Sequence, residues 1–270
     1  MTRFALPQSK LKARRHRRRL VLVGIIFLAI IIVAGALVAL SWAPFVRIQN
    51  VEIVGVTSVA TSTVESAVRE QLGGTYYYVF TKDNIFFYSK QRIQTALERG
   101  FPGFSSVTLG VQNFKTLRVT IVERRPDALW CGISAASSSP CFLLDENGIV
   151  YTPAADFSGT VYIKYYGAVS NTQPKAFLTA DQFRSLAALA AAVGEVAKST
   201  VTSVSVGGDN TATIQFSDGF VLMISLADQS ADIVQRFTLA IGATPFTAHA
   251  LSDFQYLDLR FGDRLYYKLK

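Results

Sequence analysis

The chain has 270 residues, half of them apolar, a formal charge of +8 and a mean hydropathy of +0.29, high for a wholly soluble protein. That size allows one or two small domains. The charge is confined to one end: Arg3, Lys10, Lys12, Arg14, Arg15 and Arg17–Arg19 account for all of it, leaving 19 basic and 19 acidic side chains after residue 19. A basic folded surface is thereby excluded.

Residues 1–19 read as a disordered basic tail. Leu20–Trp42 follows without one charge. As a helix it would be roughly 35 Å long, against about 30 Å of hydrocarbon in a bilayer. A soluble helix of that length would carry a polar face. A cleaved signal peptide would have a shorter apolar core and a better cleavage site than Ala43-Pro44. The span therefore reads as a transmembrane helix, 20–42. The positive-inside rule puts the basic tail in the cytoplasm and the rest across the membrane. Beside such a span, the basic block meets membrane lipid rather than nucleic acid.

After the span, Val46–Val54 reads as a strand. A helix follows, with Ser62 and Glu65 spaced as a capping box and Val64, Ala67, Val68 and Leu72 on one face, up to Gly73-Gly74. A polar-aromatic connection, TYYYVFTKDNIFFY, leads to a second helix that Ser89 can cap, with Ile93, Ala96 and Leu97 inward. Two strands, Ser105–Val111 and Leu117–Val122, close this part around the turn Gln112–Lys115. The order is β-α-α-β-β over residues 45–125.

Residues 126–270 are strand-rich. Ala128–Ile133 and Cys141–Leu144 read as arms of a hairpin that Cys131 and Cys141 could close with a disulfide; two buried thiols are the alternative. Asp145–Gly148 is a turn before the strand Ile149–Thr152. Val161–Tyr166 is another strand. Thr179 and Gln182 cap a long helix to about Lys198. Three short strands follow, Val201–Val206, Thr211–Phe216 and Val221–Ser225, then a helix over Ser230–Ile241. The final hairpin turns at Gly262-Asp263, between alternating Leu257, Leu259, Phe261 and Leu265, Tyr267. The fold class expected is α+β: one membrane helix, the β-α-α-β-β module, and a mixed β domain with two helices.

Catalytic text is missing. No G-x-S-x-G, phosphate-binding loop or H-E-x-x-H occurs, and His249 has no orienting acid beside it. Two cysteines and two histidines, His16 among them in the tail, make a poor metal set. No enzyme activity, cofactor or metal is expected.

A β-α-α-β-β module directly outside a single span resembles a POTRA domain. The text goes further: VRIQNVEIVGV at the span's exit, then DNIFF, FPGFSSVTL, LRVTIVERRPDALW, LLDENGIVY and YLDLRFGDRLYYK, in that order, resemble the FtsQ/DivIB family of bacterial cell-division proteins over residues 20–270. Two stretches depart from that pattern, the tyrosine-rich Gly74–Asp83 connection and the serine-rich cysteine hairpin. The resemblance implies a non-enzymatic scaffold in the cytoplasmic membrane at the division site. The POTRA domain would contribute to recruitment, and the β domain would bind small single-pass coiled-coil proteins of the FtsB/DivIC and FtsL kinds. It places the partner site on Arg260, Phe261, Arg264, Leu265, Tyr266 and Tyr267; a guanidinium such as that of Arg260 could hold a partner carboxylate with a bidentate pair. On this reading the free edge of the last strand, Arg264–Lys268, accepts a partner strand. Two alternatives are a POTRA-bearing part of a secretion or assembly system and a membrane-anchored cell-wall enzyme. A blunted edge, with Arg264, Lys268 and Lys270 repelling strand partners, is the plain alternative for the hairpin itself.

Overall fold

The computed structural model describes residues 8–136, 140–155, 161–172 and 174–270, with the backbone alone for 8–17. Helix α1 covers Gln8–Ser41, and its Arg18–Ser41 portion is long and apolar enough to cross a membrane. The tail is therefore helical from Gln8 onward, where disorder was expected. The basic run has few helix breakers and continues the turn already nucleated by the apolar segment. Residues 1–7 lie outside the described residues.

The chain divides into two compact units: one up to Gly100 together with Ser106–Val122, the other Phe101–Ser105 together with Glu123–Lys270. After α1, the first unit opens with a 3-10 turn at Pro44–Val46 and strand β1 at Asn50–Val54. The strand starts later than alternation suggested, because Pro44 nucleates the turn and so delays extension. Helix α2 is Thr61–Leu72. The expected Ser62–Glu65 capping box is not made: the helix begins two residues earlier, with Ala60 as its N-cap, and Glu65 pairs with Arg69 at 2.8 Å. Then come β2 (Thr75–Tyr76), β3 (Phe80–Thr81) and α3 (Lys90–Gly100), whose Arg92 N–H donates to Ser89 Oγ. Strands β4 (Phe104–Gln112) and β5 (Thr116–Glu123) complete a three-stranded sheet in the order β1-β5-β4, with β1 parallel to β5. Val64, Val68, Ile93 and Leu97 bury one face of each helix beside Val107, Leu117, Val119 and Ile121.

The second unit is built on a ten-stranded mixed sheet. Its strands are β6 (Ala128–Trp130), β7 (Phe142–Leu144), β8 (Ile149–Pro153), β9 (Lys164–Tyr166), β10 (Lys175–Ala176), β11 (Val201–Val206), β12 (Thr211–Phe216), β13 (Val221–Ser225), β14 (Phe254–Phe261) and β15 (Arg264–Leu269), in the order β10-β8-β7-β6-β9-β11-β12-β13-β14-β15. Cys131 and Cys141 are disulfide-bonded beside the antiparallel β6–β7 pair. Residues 137–139 of the intervening serine-rich loop lie outside the described residues. Helix α4 (Ala180–Ala197) starts on a complete capping box, Thr179 with Gln182. Helix α5 covers Ser230–Ile241. The two helices join the sheet in one core, with Phe183, Leu186 and Val193 from α4 and Ile233 and Phe237 from α5 against Val204, Ile214, Leu222 and Leu257. The fold is thus α+β, with one N-terminal apolar helix, five α-helices in all among the described residues and a large mixed sheet.

Candidate functional site: the edge of the ten-stranded sheet

The last hairpin is held from three directions. Strand β14 lies parallel to β13, Leu222 opposite Leu257, and antiparallel to β15, Leu257 opposite Tyr267. Phe254, Leu257 and Leu259 are buried in the core, which fixes the register, and Asp258 is buried on the other face. The turn is two residues long, with Gly262 at φ +62° in its first central position, where glycine meets no steric cost. From beneath, Arg236 of α5 donates Nη1 to the carbonyls of Leu259 (3.1 Å) and Gly262 (2.7 Å), while its Nη2 pairs with Asp228.

Every residue of β15 is exposed, and among the described residues no strand pairs with its outer side. Its two faces differ. Tyr267, opposite Leu257, packs edge-on against Phe246 (5.5 Å) and Phe254 (5.9 Å). Beside it, Leu265 and Arg264 line a cleft of about 280 Å³ whose far wall is Leu239, Phe246 and Arg236. On the opposite face Tyr266 stands across from Asp258 and meets Phe261 edge-on at 5.3 Å. The strand thus offers backbone hydrogen-bonding groups along its edge, an apolar cleft on one face and an aromatic pair on the other.

One expectation for this site is corrected. Arg260 is already engaged by the chain's own carboxylate: Nε and Nη2 donate to Asp258 Oδ1 (2.9 Å) and Oδ2 (2.7 Å), and the Arg260 N–H donates to Oδ1 at 3.0 Å. The two residues sit two apart on one strand, so both side chains leave from one face. Burial opposes the charge on Asp258, yet the Arg260 hydrogen bonds outweigh it and hold the carboxyl below its ordinary range. The same pair raises the Arg260 guanidinium above its usual value. Arg260 therefore shapes the strand and stacks over Phe261 (5.7 Å), and a partner carboxylate would have to displace Asp258 to reach it.

The remaining predicted positions, Phe261, Arg264, Leu265, Tyr266 and Tyr267, are brought together on this ribbon. Sequence reasoning missed Arg236, Leu239 and Phe246, which build the cleft. Leu239 carried a signal: it is an apolar residue off the inward stripe of α5, and it stands exposed. His249 is exposed, with Phe254 edge-on at 6.1 Å. No cluster of potential metal ligands occurs among the described residues. Comparison of the chain with family models and with curated proteins gives no match.

Proposed function

We propose that this chain is a non-enzymatic, single-pass membrane scaffold of the FtsQ/DivIB kind, serving assembly of the bacterial division machinery. One observation carries the reading: β15 ends a ten-stranded sheet with its outer side unpaired among the described residues. A partner segment adds there as an eleventh strand. Backbone bonds supply affinity and alternate side chains supply specificity. Side chains on one face of the added strand enter the cleft beside Leu265 and Tyr267, and those on the other meet Tyr266 and Phe261. Arg264 and Lys268 favour a partner with acidic residues at the register opposite them.

The first folded unit is read as a POTRA domain on its order β1-α2-α3-β4-β5, with the β2–β3 hairpin inserted between the helices. Helix α1 tethers the chain to the cytoplasmic membrane, and the basic tail keeps its start in the cytoplasm. The partners are small single-pass coiled-coil proteins, of the FtsB/DivIC and FtsL kinds, that sit in the same membrane.

The test is Leu265→Pro, which removes one backbone N–H from β15 and stiffens the strand beside its turn. The full-length variant should lose co-purification of small coiled-coil membrane proteins from dividing bacteria. A fluorescent fusion of the parent chain should gather at midcell. Unchanged co-purification by a variant with parental near-ultraviolet circular dichroism would reject the edge. A diffuse membrane signal of the parent would reject the division role.

A further inference from the structure

Two tight turns of the first unit are built against backbone preference. In the β2–β3 hairpin, Val79 N–H donates to Tyr76 carbonyl, and both central residues, Tyr77 (φ +50°) and Tyr78 (φ +62°), are left-handed. In the β4–β5 hairpin, Lys115 N–H donates to Gln112 carbonyl across Asn113 (φ +50°) and Phe114 (φ +54°). Such turns select glycine or asparagine, and a bulky side chain there is an outlier. The tips nonetheless carry aromatic rings held in the open: Tyr77 is 91% exposed, Tyr78 96% and Phe114 70%.

The tyrosine tip lies where α1 enters the unit, and the Phe114 tip lies beside the start of β1. Trp42 Nε1 donates to Val79 carbonyl at 2.8 Å, one residue beyond the tyrosine tip. Gln49 and Asn50 N–H groups donate to Lys115 carbonyl, one residue beyond Phe114, and Gln49 Nε2 donates to Pro44 carbonyl. The end of the helix is clamped as well: Thr81 Oγ1 and Asn84 Nδ2 both donate to Ser41 carbonyl. A cleft of about 220 Å³ is walled by Leu37 and Leu40 of the helix and by Phe80, Phe86 and Phe87 of the unit. Leu37 lies five residues before Trp42, roughly 7 Å back along the helix axis.

We infer that this end of the first unit inserts Tyr77-Tyr78 and Phe114 as two aromatic wedges into the headgroup–acyl boundary of the leaflet where α1 emerges. The inference rests on the reading that α1 spans a membrane. Depth selects lipid over a protein partner: a unit whose phenylalanines share a cleft with Leu37 already reaches the hydrocarbon margin. Tyrosine and tryptophan, apolar in body and polar at the tip, favour that layer. Lys82 and Lys115 flank the two turns and suit headgroup phosphates. The tether and the wedges together make three points of attachment for the unit.

The test uses the full chain in phosphatidylcholine–phosphatidylglycerol vesicles, with one introduced cysteine at a time carrying a nitroxide; the two native cysteines are bonded to each other. Labels go at Tyr78→Cys and Phe114→Cys, with Ile31→Cys inside the span and Thr120→Cys on β5 as references. Thr120 lies four residues along β5 from Thr116, about 13 Å up the strand from the turn at roughly 3.3 Å per residue. Collision with oxygen, which concentrates in lipid, is compared with collision with a water-soluble nickel chelate. The labels at 78 and 114 should be shifted from the Thr120 value toward the Ile31 value. Labels as open to nickel as Thr120 overturn the inference, and labels shielded from both reagents overturn it in favour of a protein contact. A label at Ile31 that is itself open to nickel would instead sink the membrane-spanning reading, and the insertion with it.

Discussion

Replacing Asp145 should separate two contributions within one turn of the second unit. The residue is 3% exposed. Oδ2 accepts from Arg124 Nη1 at 2.5 Å, and Oδ1 accepts from the N–H groups of Asn147 and Ile149, both at 2.9 Å. Arg124 is itself half-buried and also donates to Pro102 carbonyl, so water only partly replaces the lost partner. Breaking a buried pair from one side costs about 3–5 kcal/mol. Asp145→Ala loses all three acceptor contacts and should fall near the top of that range. Asp145→Asn keeps a carbonyl oxygen for the two backbone donors but turns its amide toward Arg124. It should cost roughly 2 kcal/mol less than the alanine variant, at about 1 kcal/mol per retained bond. The assay is urea unfolding of the full chain in micelles in a Trp42→Phe background, so that Trp130 of β6 alone reports the second unit. A loss below about 1 kcal/mol for Asp145→Ala, the scale of an exposed ion pair, would refute the reasoning. Equal losses for both variants would show that the backbone bonds contribute nothing.

Three further outcomes follow from the same geometry. The Cys131–Cys141 bond closes a loop across a separation of 10 residues; its removal by Cys131→Ser with Cys141→Ser should lower stability by about 2.7 kcal/mol on the chain-entropy relation, read by the same urea titration. Asp258 is held below its ordinary range, chiefly by Arg260 acting against burial; that stability is in place above about pH 4 and lost as pH falls through the lowered value. Arg260→Ala should therefore destabilise at pH 7 and converge on the parent in acid, and a gap that persists unchanged at pH 2 would contradict the pairing. Gly55 has φ +90°, and a Cβ there would lie 2.1 Å from Ile121 carbonyl oxygen; Gly55→Ala should cost well over 1 kcal/mol in the first unit, visible as earlier loss of Trp42 fluorescence change on heating.

Elements with local punctuation were legible from the residues. Strands β11, β12 and β13 and helix α5 fall on the expected bounds, because Asp218-Gly219 and the flanking alternation leave one register open. The Thr179–Gln182 box marked α4 for the same reason. Long-range pairing carried no such mark. Nothing in Val221–Ser225 or Phe254–Phe261 announces that they lie parallel, although that pairing is what puts β15 at the edge. The two-residue strands β2 and β3 are too short for periodicity to register. At the site, the ribbon was legible, while the pairing of Arg260 within its own strand was not read. Its distance of two from Asp258 held the clue, since strand period alone puts those charges side by side.

The ten strands of the second unit meet at β9. Tyr165 faces Trp130 of β6 on one side and Val204 of β11 on the other, both parallel, and the strand is three residues long. Four strands lie to one side of this seam and five to the other. The two halves of the sheet are joined through three residues alone, so they can open as separate cooperative segments. Amide deuterium uptake at residues 164–166 would then precede that of β12 and β13.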